Sequence, residues 1–267
     1  MIRTTLAALA LGMSTAAAAH SFWLEPADHT IDAGEEVWVD FRVGDAGEAG
    51  DWAVYWERVA AFRLHGPDGV IDQQRALRIT APGEKGGAQL RPRSPGSYIL
   101  AFESNPSFSD LEAERFDRYV EHEGLTAIAA HRVATGAASR KGTEIYMRRA
   151  KTLVQVGDKI TPDVTQTIGQ ILEIRPLQNP FALDAGAPLD LQVFWRGQPL
   201  GGAMLSAAPL DAKGEVKTFT TSADGVIRVE APGEDAMLYA VVWGVPAPND
   251  ARADYITVFS SLTVAGR

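Results

Sequence analysis

Cysteine is absent from the 267-residue sequence. With it go disulfides, a lipid-modified N-terminal cysteine, thiol nucleophiles and cysteine-rich metal sites. Beyond the first twenty residues no stretch approaches the roughly 20 consecutive apolar residues that a membrane-spanning helix requires, so no membrane insertion is expected of the rest of the chain. Also missing are a Gly-x-Ser-x-Gly elbow, an HExxH pair and a phosphate loop, and nothing singles out a carboxylate pair for glycoside hydrolysis. Basic residues are outnumbered, 25 against 34 acidic ones. That balance disfavours nucleic acid and anionic membranes as partners and is compatible with cations.

What is present begins with an export signal. Met1-Ile2-Arg3 supplies a positive start, Leu6 to Met13 an apolar stretch, and Ala17-Ala18-Ala19 the small-x-small pattern of a cleavage site. Residues 1–19 are therefore expected to be a cleavable signal peptide, which implies a periplasmic location and leaves His20 as the first residue.

The remaining length suits two medium domains. Strand-like runs separated by Gly, Pro and Asp turns dominate both halves. In the first they are expected over 36–41, 60–64, 76–79, 97–102 and 152–156. The second half carries them over 189–195, 204–208, 216–220, 226–229, 238–242 and 255–264. One segment breaks the pattern: Ser109-Asp110-Leu111-Glu112 reads as a capping box, with Phe116, Tyr119 and Val120 at helical spacing behind it. The fold class expected is all-β with one inserted helix, arranged as two β-sandwich domains. The N-terminal sandwich takes residues 20–157, with the helix at about 109–123. Residues 158–170 form a linker and residues 171–267 the C-terminal sandwich.

Four stretches carry a resemblance. They are Ala19-His20-Ser21-Phe22-Trp23-Leu24-Glu25-Pro26, Tyr119-Val120-Glu121-His122-Glu123-Gly124-Leu125, Tyr146-Met147-Arg148-Arg149-Ala150-Lys151 and Gly169 to Leu177. Together they resemble a bacterial domain-of-unknown-function family linked to the periplasmic side of cobalt or nickel uptake, that is, a nickel-uptake-transporter-like component. Gly197 to Ala203 with Thr221-Ser222-Ala223-Asp224-Gly225 is similar to an immunoglobulin-like or carboxypeptidase-regulatory-like sandwich. The resemblance implies a transition-metal cargo, Ni or Co, and an inner- or outer-membrane metal transporter as partner.

His20 is the sharpest candidate for chemistry. A histidine at a free N-terminus offers an amine and an imidazole nitrogen to one metal, and a second histidine would complete a site suited to Cu(II), Ni(II) or Co(II). Of His29, His65, His122 and His131, His65 is the candidate partner, because it ends a strand before a turn. Phe22, Trp23, Trp52, Tyr55 and Trp56 read as packing before they read as an aromatic wall. Asp45, Glu48 and Asp51 lie in a Gly/Ala-rich loop whose spacing matches no calcium loop. Arg148, Arg149 and Lys151 form a basic island expected to pair with Glu112, Glu114 or Asp117.

Three functional readings follow. The first is a non-enzymatic periplasmic binding protein handling a Ni, Co or Cu ion for uptake or delivery. The second is a copper-dependent oxidative enzyme with an N-terminal histidine brace. The third is a metal-free interaction module of the cell envelope.

Overall fold

The computed structural model describes residues 21–46, 48–81, 84–211, 215–249 and 252–265. The expected signal peptide and His20 lie outside them. Before the helices the strands are Ser21–Pro26 (β1), Thr30–Ile31 (β2), Val37–Gly44 (β3), Gly50–Asp51 (β4) and Val59–Gly66 (β5), then Gly69–Asp72 (β6), Leu77–Arg78 (β7), Gly87–Leu90 (β8), Gly96–Ser104 (β9) and Ser107–Leu111 (β10). Helices Ala113–His122 (α1) and Thr126–Ala134 (α2) follow. Beyond them come Gly142–Val156 (β11), Leu172–Pro176 (β12), Pro188–Trp195 (β13), Gln198–Pro199 (β14) and Met204–Pro209 (β15). Lys217–Thr220 (β16), Val226–Glu230 (β17), Met237–Pro246 (β18) and Tyr255–Val264 (β19) complete the set.

The protein is mainly β-sheet, built in layers. A ten-stranded central sheet runs β16-β15-β18-β19-β11-β9-β5-β6, with β10 and β2 also paired to β11. It draws strands from both halves of the chain, joined where β11 and β19 run parallel from Glu144↔Tyr255 to Thr152↔Thr263. A smaller sheet of β1, β3, β8, β7 and β4 covers one face over β5, β9 and β11. A four-stranded sheet of β12, β13, β14 and β17 covers the other face.

Period-2 alternation explains this layering, because successive strand residues point to opposite faces. In β9, Tyr98, Leu100 and Phe102 face the β1–β3–β8 sheet, while Ile99 and Ala101 face the β12–β13 sheet. A strand buried on both faces reads as a continuous apolar run, which is how Tyr98-Ile99-Leu100-Ala101-Phe102 appears. Phe22, Phe41, Phe62, Phe102 and Trp52 interlock in the first core, with Phe41 and Phe102 edge-to-face at 5.2 Å.

Two expectations need correction here. The helix expected over 109–123 begins only at Ala113, because Ser107–Leu111 is a strand antiparallel to β11. Its backbone is committed to that ladder, so the capping box does not form, and Glu112 stands at the helix start with no side-chain cap bond. Among the described residues there are also two α-helices rather than one. Gly124, at φ +63°, turns the chain out of α1, and α2 begins two residues later.

Residues 158–170 are tied to β9 and pack into the core under the β12–β13 sheet. Thr161 Oγ1 accepts from the Ser97 amide at 2.9 Å, Val164 is fully buried, and Gln170 Nε2 donates to the Phe102 carbonyl at 3.2 Å.

Candidate functional site

Alternation along β11 sends Glu144, Tyr146 and Arg148 to the face that carries β1 and the helices, and Arg149 and Lys151 to the other. From β19 the matching face brings Tyr255, Thr257 and Phe259, which pack with Phe116, Tyr119, Val120 and Ile128 of the helices. Farther along β19, the Ser261 and Thr263 hydroxyls donate to the Phe22 and Leu24 carbonyls of β1 at 2.7 and 2.8 Å. The end of α1 and the start of β1 therefore stand side by side on one sheet face, and the candidate site is the seam between them.

The seam is acidic on one side. Glu144 is buried, and its Oε2 accepts from Thr257 Oγ1 at 2.6 Å and Tyr119 Oη at 3.2 Å. Burial pushes its pKa up, partly offset by those two hydrogen bonds and by Arg148. Glu123, at the C-terminal end of α1, has a side chain only 15% exposed, and its Oε1 lies 3.2 Å from His122 Nδ1. Burial is the main cause of its raised pKa; His122 works against the shift, and the Asp45 and Glu144 charges add to it. Asp45 follows Gly44, the partner of Ser21 in the β1–β3 ladder. The Glu123 carboxyl thus feels two other carboxylate charges near the end of α1.

The other side is basic and aromatic. The Arg148 guanidinium lies over the rings of Phe259, Phe22 and Tyr146 at 5.2, 5.7 and 5.7 Å. Arg58, which also acts electrostatically on Arg148, lies over Tyr55 at 4.3 Å and Trp52 at 4.9 Å.

The histidines are distributed widely. His20 lies outside the described residues; Ser21, which follows it, opens β1. His65 is on β5, where Phe62 and Leu64 face the β1 layer and His65, beside Arg63, projects from the opposite face. Burial, then the charges of Arg63 and Lys151, lower its pKa. His29 is buried, with Nδ1 2.8 Å from the Leu153 carbonyl oxygen, and His131 Nδ1 lies 3.3 Å from Tyr255 Oη. Among the described residues no three His, Cys, Asp or Glu side chains converge as ligands for one ion.

The basic island is a correction. Arg149 pairs with Glu103 at 3.1 Å and Lys151 with Glu173 at 2.9 Å. The helix acids expected as their partners are taken by others: Glu112 by Lys141, Glu114 by Arg118 and Asp117 by Arg132. The cause is alternation, which splits three neighbours in sequence between two faces of the sheet. Phe22, Trp23 and Trp52 are core residues, while Trp56 is 53% exposed. In the Gly44–Asp51 loop, Asp51 pairs with Arg42 at 2.5 Å.

Glu123, Glu144 and Asp45 as a group escape sequence reasoning. Two local signals point toward them: Glu144-x-Tyr146-x-Arg148 at strand period, and Tyr119 and Glu123 one helical turn apart.

These layers and the helix-flanked seam define a class, an all-β, multilayer sandwich protein with a polar seam on its central sheet. Within that class the chain belongs to the DUF4198 family, a domain of unknown function whose family model matches residues 17–242. No curated protein matches the chain. Among solved structures it is similar to the D0-D1 domain of intimin, at 12% identity and TM-score 0.21, over 91% of this chain and 97% of that one. It is also similar to latent PorU from Porphyromonas gingivalis, at 9% identity and TM-score 0.21, over 93% of this chain and 21% of that one. Salmonella alpha-2-macroglobulin reacted with methylamine gives 10% identity and TM-score 0.23, over 91% of this chain and 15% of that one. At these TM-scores the likenesses carry no argument. Among the described residues no helix is long and apolar enough to cross a membrane.

Proposed function

We propose that the protein is an exported, periplasmic, non-enzymatic metal-handling protein that carries a Ni or Co ion, with Cu as the alternative cargo, to or from a membrane transporter. The observation that supports this reading best is Glu123. Its carboxyl group is largely buried, faces the charges of Asp45 and Glu144, and lies beside the start of β1. Burial and like charges both disfavour the ionised form of Glu123, and a cation would relieve that penalty. The described side chains do not make a complete ligand set. The donors this reading adds are the amine and imidazole of His20, freed by cleavage after Ala19, with Glu123 as an oxygen ligand.

Oxidative copper chemistry needs a second imidazole at the metal, whereas this reading takes its further donor from the Glu123 carboxylate. Calorimetric titration of the protein beginning at His20 with NiCl2, CoCl2 and CuCl2 tests the reading. One-to-one binding that weakens at least tenfold in both His20→Ala and Glu123→Gln supports it. Equal affinity in all three proteins contradicts it.

A further inference from the structure

A second feature lies on the sheet face opposite the seam, at strand β10. This strand pairs with β11 on one side, and among the described residues no strand pairs with its other side. An open edge offers unpaired amides and carbonyls to another chain. The registers align Phe108 of β10 with Ile145 of β11, Ile145 with Ile256 of β19, and Ile256 with Val245 of β18. Residues in such a row project to one face. Here it is the face on which Met147 and Trp243 pack into the core under the β12–β13 sheet. Past the end of that core the row is open: Phe108 is 57% exposed, and Ile145, Ile256 and Val245 are only half-buried. A groove of about 450 Å3 runs along Phe108 and Ile145, with Pro106, Ser107 and Arg252 on its walls.

Four charged groups stand near this edge. Asp110, two positions beyond Phe108 and on the same face, is exposed, and its Oδ1 lies 3.8 Å from Lys141 Nζ. Lys141 stands closer to Glu112, at 2.8 Å, so Asp110 is its looser partner. The Asp254 carboxylate accepts from the Thr143 amide and hydroxyl, at 3.1 and 2.7 Å. Arg252 is exposed, and among the described residues it has no ion-pair partner.

We infer that β10 is the contact edge of a symmetric dimer, in which β10 of a second copy of this chain lies antiparallel beside it. A register centred on Ser109 pairs all five residues of the strand, with Ser107 opposite Leu111 and Phe108 opposite Asp110 of the second copy. A two-fold axis repeats every contact. The two Phe108 side chains are then diagonal neighbours, a separation that aromatic rings bridge, and they cover each other's exposed area. The two Asp110 carboxylates take the other diagonal. Each extends the row that Arg252 of the opposite copy borders, so it meets the cation that lacks a partner within its own chain. A net charge of −9 on each chain opposes association, so the Arg252–Asp110 contacts decide whether the edges meet. The edge is separate from the β1 seam, and its fate does not bear on the metal reading.

Sedimentation equilibrium over a concentration series, on the protein beginning at His20, tests the inference. The mass is expected to rise with concentration to twice that of one chain and no further. Arg252→Asp and Asp110→Arg should each weaken the dimer about tenfold, because like charges then face each other twice across the axis. Both side chains are exposed, so each variant should keep the far-ultraviolet circular dichroism of the parent. Combining Arg252→Asp with Asp110→Arg swaps the charges and should restore the parent's association, which a misfolded variant could not do. A parent that stays monomeric at every concentration overturns the inference. So does a dimer that neither single variant weakens, or a double variant that associates no better than the single ones.

Discussion

Lys151 Nζ lies 2.9 Å from Glu173 Oε1, and both side chains are sealed from solvent between the central sheet and the β12–β13 sheet. Glu173 also accepts from the Ile168 amide through Oε1 at 2.8 Å and from the Gly169 amide through Oε2 at 3.1 Å. One carboxylate therefore fixes β11, β12 and the end of the 158–170 segment to one another.

Removing either partner leaves a buried charge uncompensated. Lys151→Met is expected to cost about 3–5 kcal/mol of unfolding free energy, read by urea denaturation. Lys151→Met with Glu173→Leu should recover only part of that, because the Ile168 and Gly169 amides lose their acceptor. Full recovery in the double variant would show that the backbone bonds matter little.

His29 sets a pH dependence. Burial is the main cause of its lowered pKa, partly offset by the bond to Leu153 and the charges of Asp28 and Glu25. The unfolded chain takes up a proton near 6.5, the ordinary value, and the folded chain only at lower pH. His29 therefore contributes stability that is fully present above pH 6.5 and lost as the pH falls below it, by at most about 1.4 kcal/mol per pH unit. Glu123 and Glu144, with raised pKa values, work in the opposite direction. The measurement is thus a difference: between pH 7.5 and 5 the parent should lose more stability than His29→Gln does. Parallel curves would remove His29 from the account.

Tyr98 should be visible at the alkaline end. Burial, then the Asp68 carboxylate, push its hydroxyl up to about 12 while it donates to the Ser94 carbonyl at 2.7 Å. A raised tyrosine keeps its contribution below pH 10 and loses it as the pH climbs toward 12. Ultraviolet titration should show one phenolate transition near 12 that vanishes in Tyr98→Phe.

Gly142 starts β11 with its backbone against the Phe116 ring, where an added Cβ would stand 2.1 Å from ring carbon. Phe116 is fully buried and stacks on Tyr255 at 5.3 Å, so it has nowhere to retreat. Gly142→Ala is expected to cost about 1–3 kcal/mol by displacing α1 from the sheet. An unchanged melting temperature would show that α1 adjusts freely.

Much of the fold is legible in the sequence, for reasons of pattern. The runs expected over 97–102, 189–195, 204–208, 226–229 and 255–264 coincide with strands or fall inside them, because apolar alternation and turn residues bound them tightly. Ser107–Leu111 misleads because a serine three residues before a glutamate satisfies a helix-start rule, while the competing ladder with β11 comes from residues far along the chain, from Gly142 to Tyr146. The seam is less legible still. Asp45, Glu123 and Glu144 come from a loop, a helix end and a strand, and only the tertiary fold brings the charges of the other two to bear on Glu123.

The central claim is that the chain start freed at His20 completes a metal site with the acidic seam. The most direct measurement is the Ni(II) affinity of two forms, one shown by mass spectrometry to begin at His20 and one carrying a single alanine before it. The account predicts that the added residue, which moves the amine away from the imidazole chelate, weakens binding at least a hundredfold while the melting temperature stays the same. Equal affinity in the two forms, or no Ni(II), Co(II) or Cu(II) binding by the form that begins at His20, would contradict it.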